Sequence, residues 1–111
     1  MLLSISGCKK TTEPICAGYA FYIPNSFNPN GDGLNDTFGP KGTGIGNFEM
    51  WMFDNNGSLI YHTTDINSQW DGIVQGGSGT ICPQGNYLYK MTTTDECGNN
   101  HTYEGSVSLL K

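Results

Sequence analysis

The stretch from Ile23 to Phe38, Ile-Pro-Asn-Ser-Phe-Asn-Pro-Asn-Gly-Asp-Gly-Leu-Asn-Asp-Thr-Phe, does most to limit what this chain can fold into. Pro24 and Pro29 lock φ and lack a backbone donor, so neither a helix nor an interior strand runs through them. Gly31 and Gly33 accept positive φ, and the surrounding Asn and Asp side chains can bond nearby backbone. Phe27, Leu34 and Phe38 recur through the polar run as apolar pegs able to pin it to a core. The expectation is an ordered loop set between extended segments.

The rest of the chain supplies those segments. A chain of 111 residues has room for one hydrophobic core, so one domain is expected. Ala20–Ile23 is a short extended run before the loop, and Gly39–Asn47 reads as a flexible Gly-rich connection. Phe48–Asp54 alternates, with Phe48, Met50 and Met52 on one face and Glu49, Trp51 and Phe53 on the other. Asn55-Asn56-Gly57 suits positive φ, and Ser58–His62 resumes an extended run, so Phe48–His62 reads as a hairpin. Trp70-Asp71-Gly72 reads as a surface turn whose Trp is anchored in the core. Gly85–Thr94 is the longest strand, with Tyr87, Tyr89 and Met91 on one face. Thr102–Leu110 closes the chain, with Tyr103, Gly105, Val107 and Leu109 sharing a face. Sixteen glycines among such short alternating runs point to an all-β fold, a small antiparallel β-sandwich, immunoglobulin-like, of about six or seven strands.

Several functions fit poorly. A net charge of −5 with five Lys+Arg disfavours nucleic acid and anionic lipid as partners. No stretch approaches the ~20 apolar residues of a membrane helix, so no transmembrane segment is expected. Enzyme signatures are missing: there is no Gly-x-Ser-x-Gly, no phosphate-binding Gly-rich loop with a following Lys and no His-Glu-x-x-His. His62 and His101 read as surface residues beside Thr. The cysteines, at 8, 16, 82 and 97, form no Cys-x-x-Cys, which argues against zinc. They suit disulfides, and a bridge between Cys82 and Cys97 is disfavoured because a strand spanning roughly 30 Å would separate them. Pairing of Cys16 or Cys8 with Cys97 or Cys82 stays open, as does a lost upstream partner for Cys8.

The Asn/Asp loop has a sharper reading. Asn28, Asn30, Asp32 and Gly33 fall at positions 1, 3, 5 and 6 of a calcium-binding loop, and Asp36 at position 9. Position 12 is Gly39 rather than Glu, so a site would recruit a ligand from elsewhere, such as Asp71. The plainer reading, that these side chains form Asx-turns and bonds to backbone, is preferred. No cofactor is required, and Ca2+ is the one candidate ion. Three Asn-x-Ser/Thr triplets, at Asn35, Asn56 and Asn100, read as incidental to an Asn- and Thr-rich composition.

Ile23–Asp36 resembles, in order and without gaps, the opening signature of the gliding motility-associated C-terminal domain, the type B sorting domain of the type IX secretion system in Bacteroidetes. Later motifs resemble the same family: Phe48–Phe53, Gly57, Trp70–Gly72, Pro83–Tyr89 and Gly105–Leu109. One departure is Asn55-Asn56, where the family carries an Arg-Trp pair. The resemblance implies that Pro24, Asn25, Phe27, Pro29, Asn30, Gly31, Asp32, Gly33, Leu34, Asn35 and Asp36 form a sorting signature. Trp70, Asp71, Gly72, Tyr87 and Tyr89 would then be its structural anchors. It further implies a non-catalytic module over residues 20–111, monomeric, read by the type IX apparatus and carrying N-terminal cargo domains of the same chain to the cell surface or medium. Residues 1–19 read as a truncated upstream segment and linker, in which Leu3–Cys8 has a weak likeness to a lipoprotein signal. The alternative function is a calcium-dependent surface-adhesion module.

Overall fold

The computed structural model describes residues 16–31, 33, 36–77 and 79–111. Cys8, Asp32, Leu34 and Asn35 lie outside the described residues, so the readings that rest on them have no structural counterpart. The described chain is all-β, with seven strands in two sheets. The strands are β1 (Ala20–Tyr22), β2 (Ser26–Phe27), β3 (Lys41–Thr43), β4 (Ile45–Phe53), β5 (Leu59–Thr63), β6 (Gly85–Asp95) and β7 (Asn100–Leu109). No helix among these residues is long and apolar enough to cross a membrane.

The main sheet has the order β2-β7-β6-β4-β5. β4–β5 and β6–β7 pair antiparallel as hairpins, and β4 also pairs antiparallel with β6 across the longer connection that holds β5. The alternation in their sequences decides which side is covered. Met50, Met52 and Met91 are fully buried, with Phe48, Tyr87, Val107 and Leu109 on the same face. Glu49, Trp51, Phe53, Leu88 and Lys90 point the other way, where Lys90 Nζ lies 5.6 Å from the Trp51 ring centre. Tyr89 faces Gly105 across the β6–β7 pair, and a Cβ at 105 would sit 2.7 Å from the Tyr89 hydroxyl.

The second layer is small. β1 pairs antiparallel with β3, and Phe21 of β1 stacks on Tyr103 at 4.7 Å. Together with the loops this makes an open sandwich over the core face. Tyr87 strengthens the immunoglobulin-like reading: its hydroxyl donates to the Pro83 carbonyl at 2.6 Å, four residues upstream, the geometry of a tyrosine corner.

Three expectations need correction. Gly39–Asn47 is not a slack connection, because it contains β3 and the start of β4. Glycine has little strand preference of its own, but at Gly42 a Cβ would lie 2.6 Å from the Ala20 carbonyl, so the bare backbone is what lets β1 close on β3. The pairing is also not wholly antiparallel: β2 runs parallel to β7, with Ser26 opposite Ser108 and Phe27 opposite Leu109. Finally, Gly72 is buried rather than at the surface, beside Leu109 and Pro29, while Asp71 is exposed. Its φ of +87° explains why the tight turn can sit inside the packing.

Candidate recognition site

The Pro/Gly/Asn/Asp loop is built from its ends inward. Phe27, in β2, is 2% exposed, and Phe38 is fully buried. Phe38 forms an isolated bridge with Trp70: its N–H donates to the Trp70 carbonyl at 2.7 Å, and its carbonyl accepts the Trp70 N–H at 2.8 Å. The two phenylalanine rings are 6.1 Å apart, and Trp70 lies 5.4 Å from Phe27 and 5.4 Å from Tyr87. Phe38 also reaches Tyr89 at 5.6 Å. Phe27, Phe38 and the three aromatic anchors therefore form one cluster. Tilted and edge-on contacts of this kind contribute about 0.5–1.5 kcal/mol each beyond their area burial.

Trp70 is held at its polar end as well, with its indole N–H donating to the Ile73 carbonyl at 2.9 Å. Asp71 caps the same turn by accepting the Ile73 N–H at 3.1 Å, and the Gly72 carbonyl accepts the Cys82 N–H at 2.7 Å. Cys82 is buried and unpaired, and burial pushes its thiol up despite the hydrogen bond with Tyr87.

Between Phe27 and Phe38, one carboxylate gathers two backbone donors. Asp36 Oδ1 accepts the Gly31 N–H at 3.0 Å and Oδ2 accepts the Gly33 N–H at 2.7 Å. Both glycines have positive φ, 79° and 84°, which aims the two donors at the same side chain. The Asn30 N–H donates to the Asn28 carbonyl at 2.9 Å, and Thr37 donates to Gln69 at 2.7 Å. A cleft of about 310 Å³ opens beside the loop, lined in part by Tyr22, Pro24, Gly33, Asp36, Lys41 and Gln69. Asn25 and Asn30 are exposed at the surface, while Asn28 and Pro29 are half-buried. The described residues of the loop thus present polar groups over an aromatic core.

The loop lies within a longer stretch that matches a family model. Residues 21–109 match the model described as the CHU_C type IX secretion signal domain. The chain belongs to this family. No curated protein shows significant similarity to it. As a type IX secretion signal domain, it serves protein sorting: it implies recognition by the secretion system, a cargo-carrying chain and export to the cell surface or beyond. A sorting module of this kind has no known catalytic role.

The secretion signal domain also contains a polar cluster that its sequence did not disclose. Asp95, at the β6–β7 turn, is 4% exposed. Its Oδ1 accepts the N–H groups of Cys97 and Asn99, both at 2.9 Å, and its Oδ2 accepts from the Asn99 side chain at 3.1 Å. His101 Nε2 lies 2.9 Å from the same Oδ2. Burial alone would raise this carboxyl, but the bonds from His101, Asn99 and Cys97 outweigh it and bring it down to about 2. Tyr19 stacks on His101 at 4.3 Å, and its hydroxyl is within 3.0 Å of Thr93 Oγ1 and 2.6 Å of the Tyr103 hydroxyl. A disulfide joins Cys16 to Cys97, one of the pairings the sequence left open. Cys16 and Tyr19, upstream of residue 20, are thus tied to the far end of the sheet. His101 is mostly buried rather than a surface residue, and His62 pairs with Glu49 at 2.6 Å. Spacing could not reveal these partners, because each lies on a different strand or across a turn.

Proposed function

We propose that this domain is a non-catalytic sorting signal, read in its folded state by the type IX apparatus, that directs a larger cargo in the same chain across the outer membrane to the cell surface or medium. The observation that carries the reading is the family match over residues 21–109. The bonds from Gly31 and Gly33 to Asp36 support it, since a partly pre-organised surface loses less freedom on recognition. Residues 24–36 are the proposed signature surface, with Phe27 holding it from beneath and Asp36 holding its crest.

The test is a fusion of the full chain to a periplasm-targeted fluorescent protein in a host with a type IX system. Fluorescence is expected at the surface or in the medium. An Asp36→Ala variant releases two backbone donors at an exposed site, so its fold should persist while export falls. Normal export of this variant would place the recognition surface outside the loop, and periplasmic retention of the intact fusion would reject the sorting reading. The second reading, a calcium-held adhesion module using Asn28, Asn30, Asp32 and Asp36, is separated by thermal melting. It requires the melting temperature to rise with added calcium and to fall with a chelator.

A further inference from the structure

The two edges of the five-stranded sheet expose rows of backbone donors and acceptors, and the fold treats them differently. At the β5 edge, Gln75 occupies the place of a missing strand. Its N–H donates to the Ile60 carbonyl at 2.8 Å, its Oε1 accepts the His62 N–H at 3.1 Å, and its Nε2 donates to the His62 carbonyl at 3.1 Å. Plugs of this kind protect an edge from pairing with another chain.

Among the described residues the β7 edge is left open. β2 covers only its end, where the Ser108 N–H donates to the Asn25 carbonyl at 3.0 Å and the Leu110 N–H to the Phe27 carbonyl at 2.8 Å. β2 cannot extend upstream, because Pro24 interrupts it and β1 turns away to pair with β3. The β6–β7 register runs without a shift from Asn100 to Leu109. Strand alternation therefore turns the N–H and C=O groups of Thr102, Glu104 and Ser106 outward, like those of Ser108. They have no hydrogen-bond partner among the described residues, and all three residues are exposed.

We infer that the open edge of β7, Thr102 to Ser106, is a strand-addition site for an extended peptide segment of the export apparatus that places a Lys or Arg opposite Glu104. The inference rests on the sorting reading above. Main-chain pairing supplies the affinity in such complexes, and alternate side chains supply the choice of partner. Glu104 stands opposite Lys90 of β6, so a basic residue on its other side extends an alternating charge row. The chain's net charge of −5 favours a basic segment too. A second copy fits poorly. The antiparallel register that uses all three outward residues sets Glu104 against Glu104, and like charges directly opposite destabilise a pair.

The experiment uses the full-chain reporter fusion with two variants. Glu104→Pro removes an outward donor and leaves the bonds to β6 intact. Glu104→Lys keeps every backbone group and reverses the charge. Glu104→Pro should lower export about tenfold or more, because one edge bond is lost and the approach of the rest is blocked. Its melting temperature should stay near that of the parent. Glu104→Lys should lower export several-fold by like-charge repulsion, and it decides the matter if the proline variant does not fold. Parental export of both folded variants overturns the edge assignment and leaves the sorting reading standing. Retention of the parent fusion in the periplasm removes both. If the parent dimerises in solution while the folded Glu104→Pro variant is monomeric and exported normally, the occupant is a second copy and the assignment to the apparatus is wrong.

Discussion

The β4–β5 turn, Asp54 to Ser58, and the β6–β7 turn, Asp95 to Asn99, share their hydrogen bonds almost atom for atom. In the first, the Asp54 N–H donates to the Ser58 carbonyl at 3.0 Å and its carbonyl accepts from Gly57 at 3.0 Å. In the second, the Asp95 N–H donates to the Asn99 carbonyl at 3.0 Å and its carbonyl accepts from Gly98 at 3.2 Å. Each aspartate Oδ1 also accepts two N–H groups at 2.9 Å, from Asn56 and Ser58 in one turn and from Cys97 and Asn99 in the other. Gly57 and Gly98 take the left-handed position, at φ 83° and 89°. The register places the two turns at opposite ends of the sheet, since Ile45 faces Asp95 while Phe53 faces Leu88.

Their surroundings differ. No hydrogen bond to Asp54 beyond its own turn is found among the described residues, whereas the Asp95 turn is overlaid by His101, Tyr19 and the Cys16 disulfide. One local solution thus serves as a plain reversal at one end and as an anchor for the N-terminal segment at the other. The lesson is that turn chemistry decides the backbone, and long-range neighbours decide what the turn does.

The largest test removes the long-range part. A Cys16→Ser, Cys97→Ser variant opens a crosslink between residues 81 apart in sequence. Chain entropy puts its contribution at about 4–5 kcal/mol. Denaturant melts should show a loss of that order, and hydrogen exchange should speed up at the Asp95 turn more than at the Asp54 turn. Equal acceleration at both turns would mean that the staple acts on the fold as a whole.

Acid separates the turns next. The Asp95 carboxyl lies at about 2 in the fold against an ordinary value of 3.8, so the folded state binds this proton more weakly than the unfolded chain. Its stabilisation is therefore complete above pH ~4 and is lost as pH falls toward 2. The melting temperature of the parent should drop across that window more steeply than that of Asp95→Asn. Superimposable profiles would show that the bonds from His101, Asn99 and Cys97 do not persist in solution.

A smaller effect is expected at the other turn. Asp54→Ala removes two bonds at an exposed site where water can replace them, for a loss of about 1 kcal/mol by denaturant melting. Asp95→Ala should cost more, because it strips a buried cluster of its common acceptor. The smallest effect is a difference between glycines. Neither Gly57 nor Gly98 would present a Cβ to any atom within 4 Å, so alanine meets only the left-handed backbone penalty of ~1–2 kcal/mol. The two losses should agree to within ~0.5 kcal/mol if the turns are locally equivalent. A much larger loss at Gly98 would show that the overlying disulfide strains that turn.

The elements that could be read from the chain were those whose signal is local. The alternation of Phe48, Met50 and Met52, and of Tyr87, Tyr89 and Met91, appears as a buried face. Asn55-Asn56-Gly57 turns with positive φ at Gly57. The pegs Phe27 and Phe38 and the anchors Trp70, Tyr87 and Tyr89 were legible as core residues, though not as one aromatic cluster. Asp36 was legible as a bonding side chain, but its two partners were not.

By itself the sequence determined the strand-and-turn grammar, the family and the positive-φ positions of Gly31 and Gly33, because periodicity, proline and glycine act within a few positions of one another. Tertiary structure alone decided that β2 lies parallel to β7 and that a Gly-rich stretch becomes β3. It alone decided that Gly72 turns inside the core, that Gln75 closes one edge while β7 stays open among the described residues, and that His101 finds Asp95. Each of these outcomes depends on which distant groups, backbone or side chain, bring donors, acceptors or apolar surface to the right spacing, and separation along the chain does not fix that.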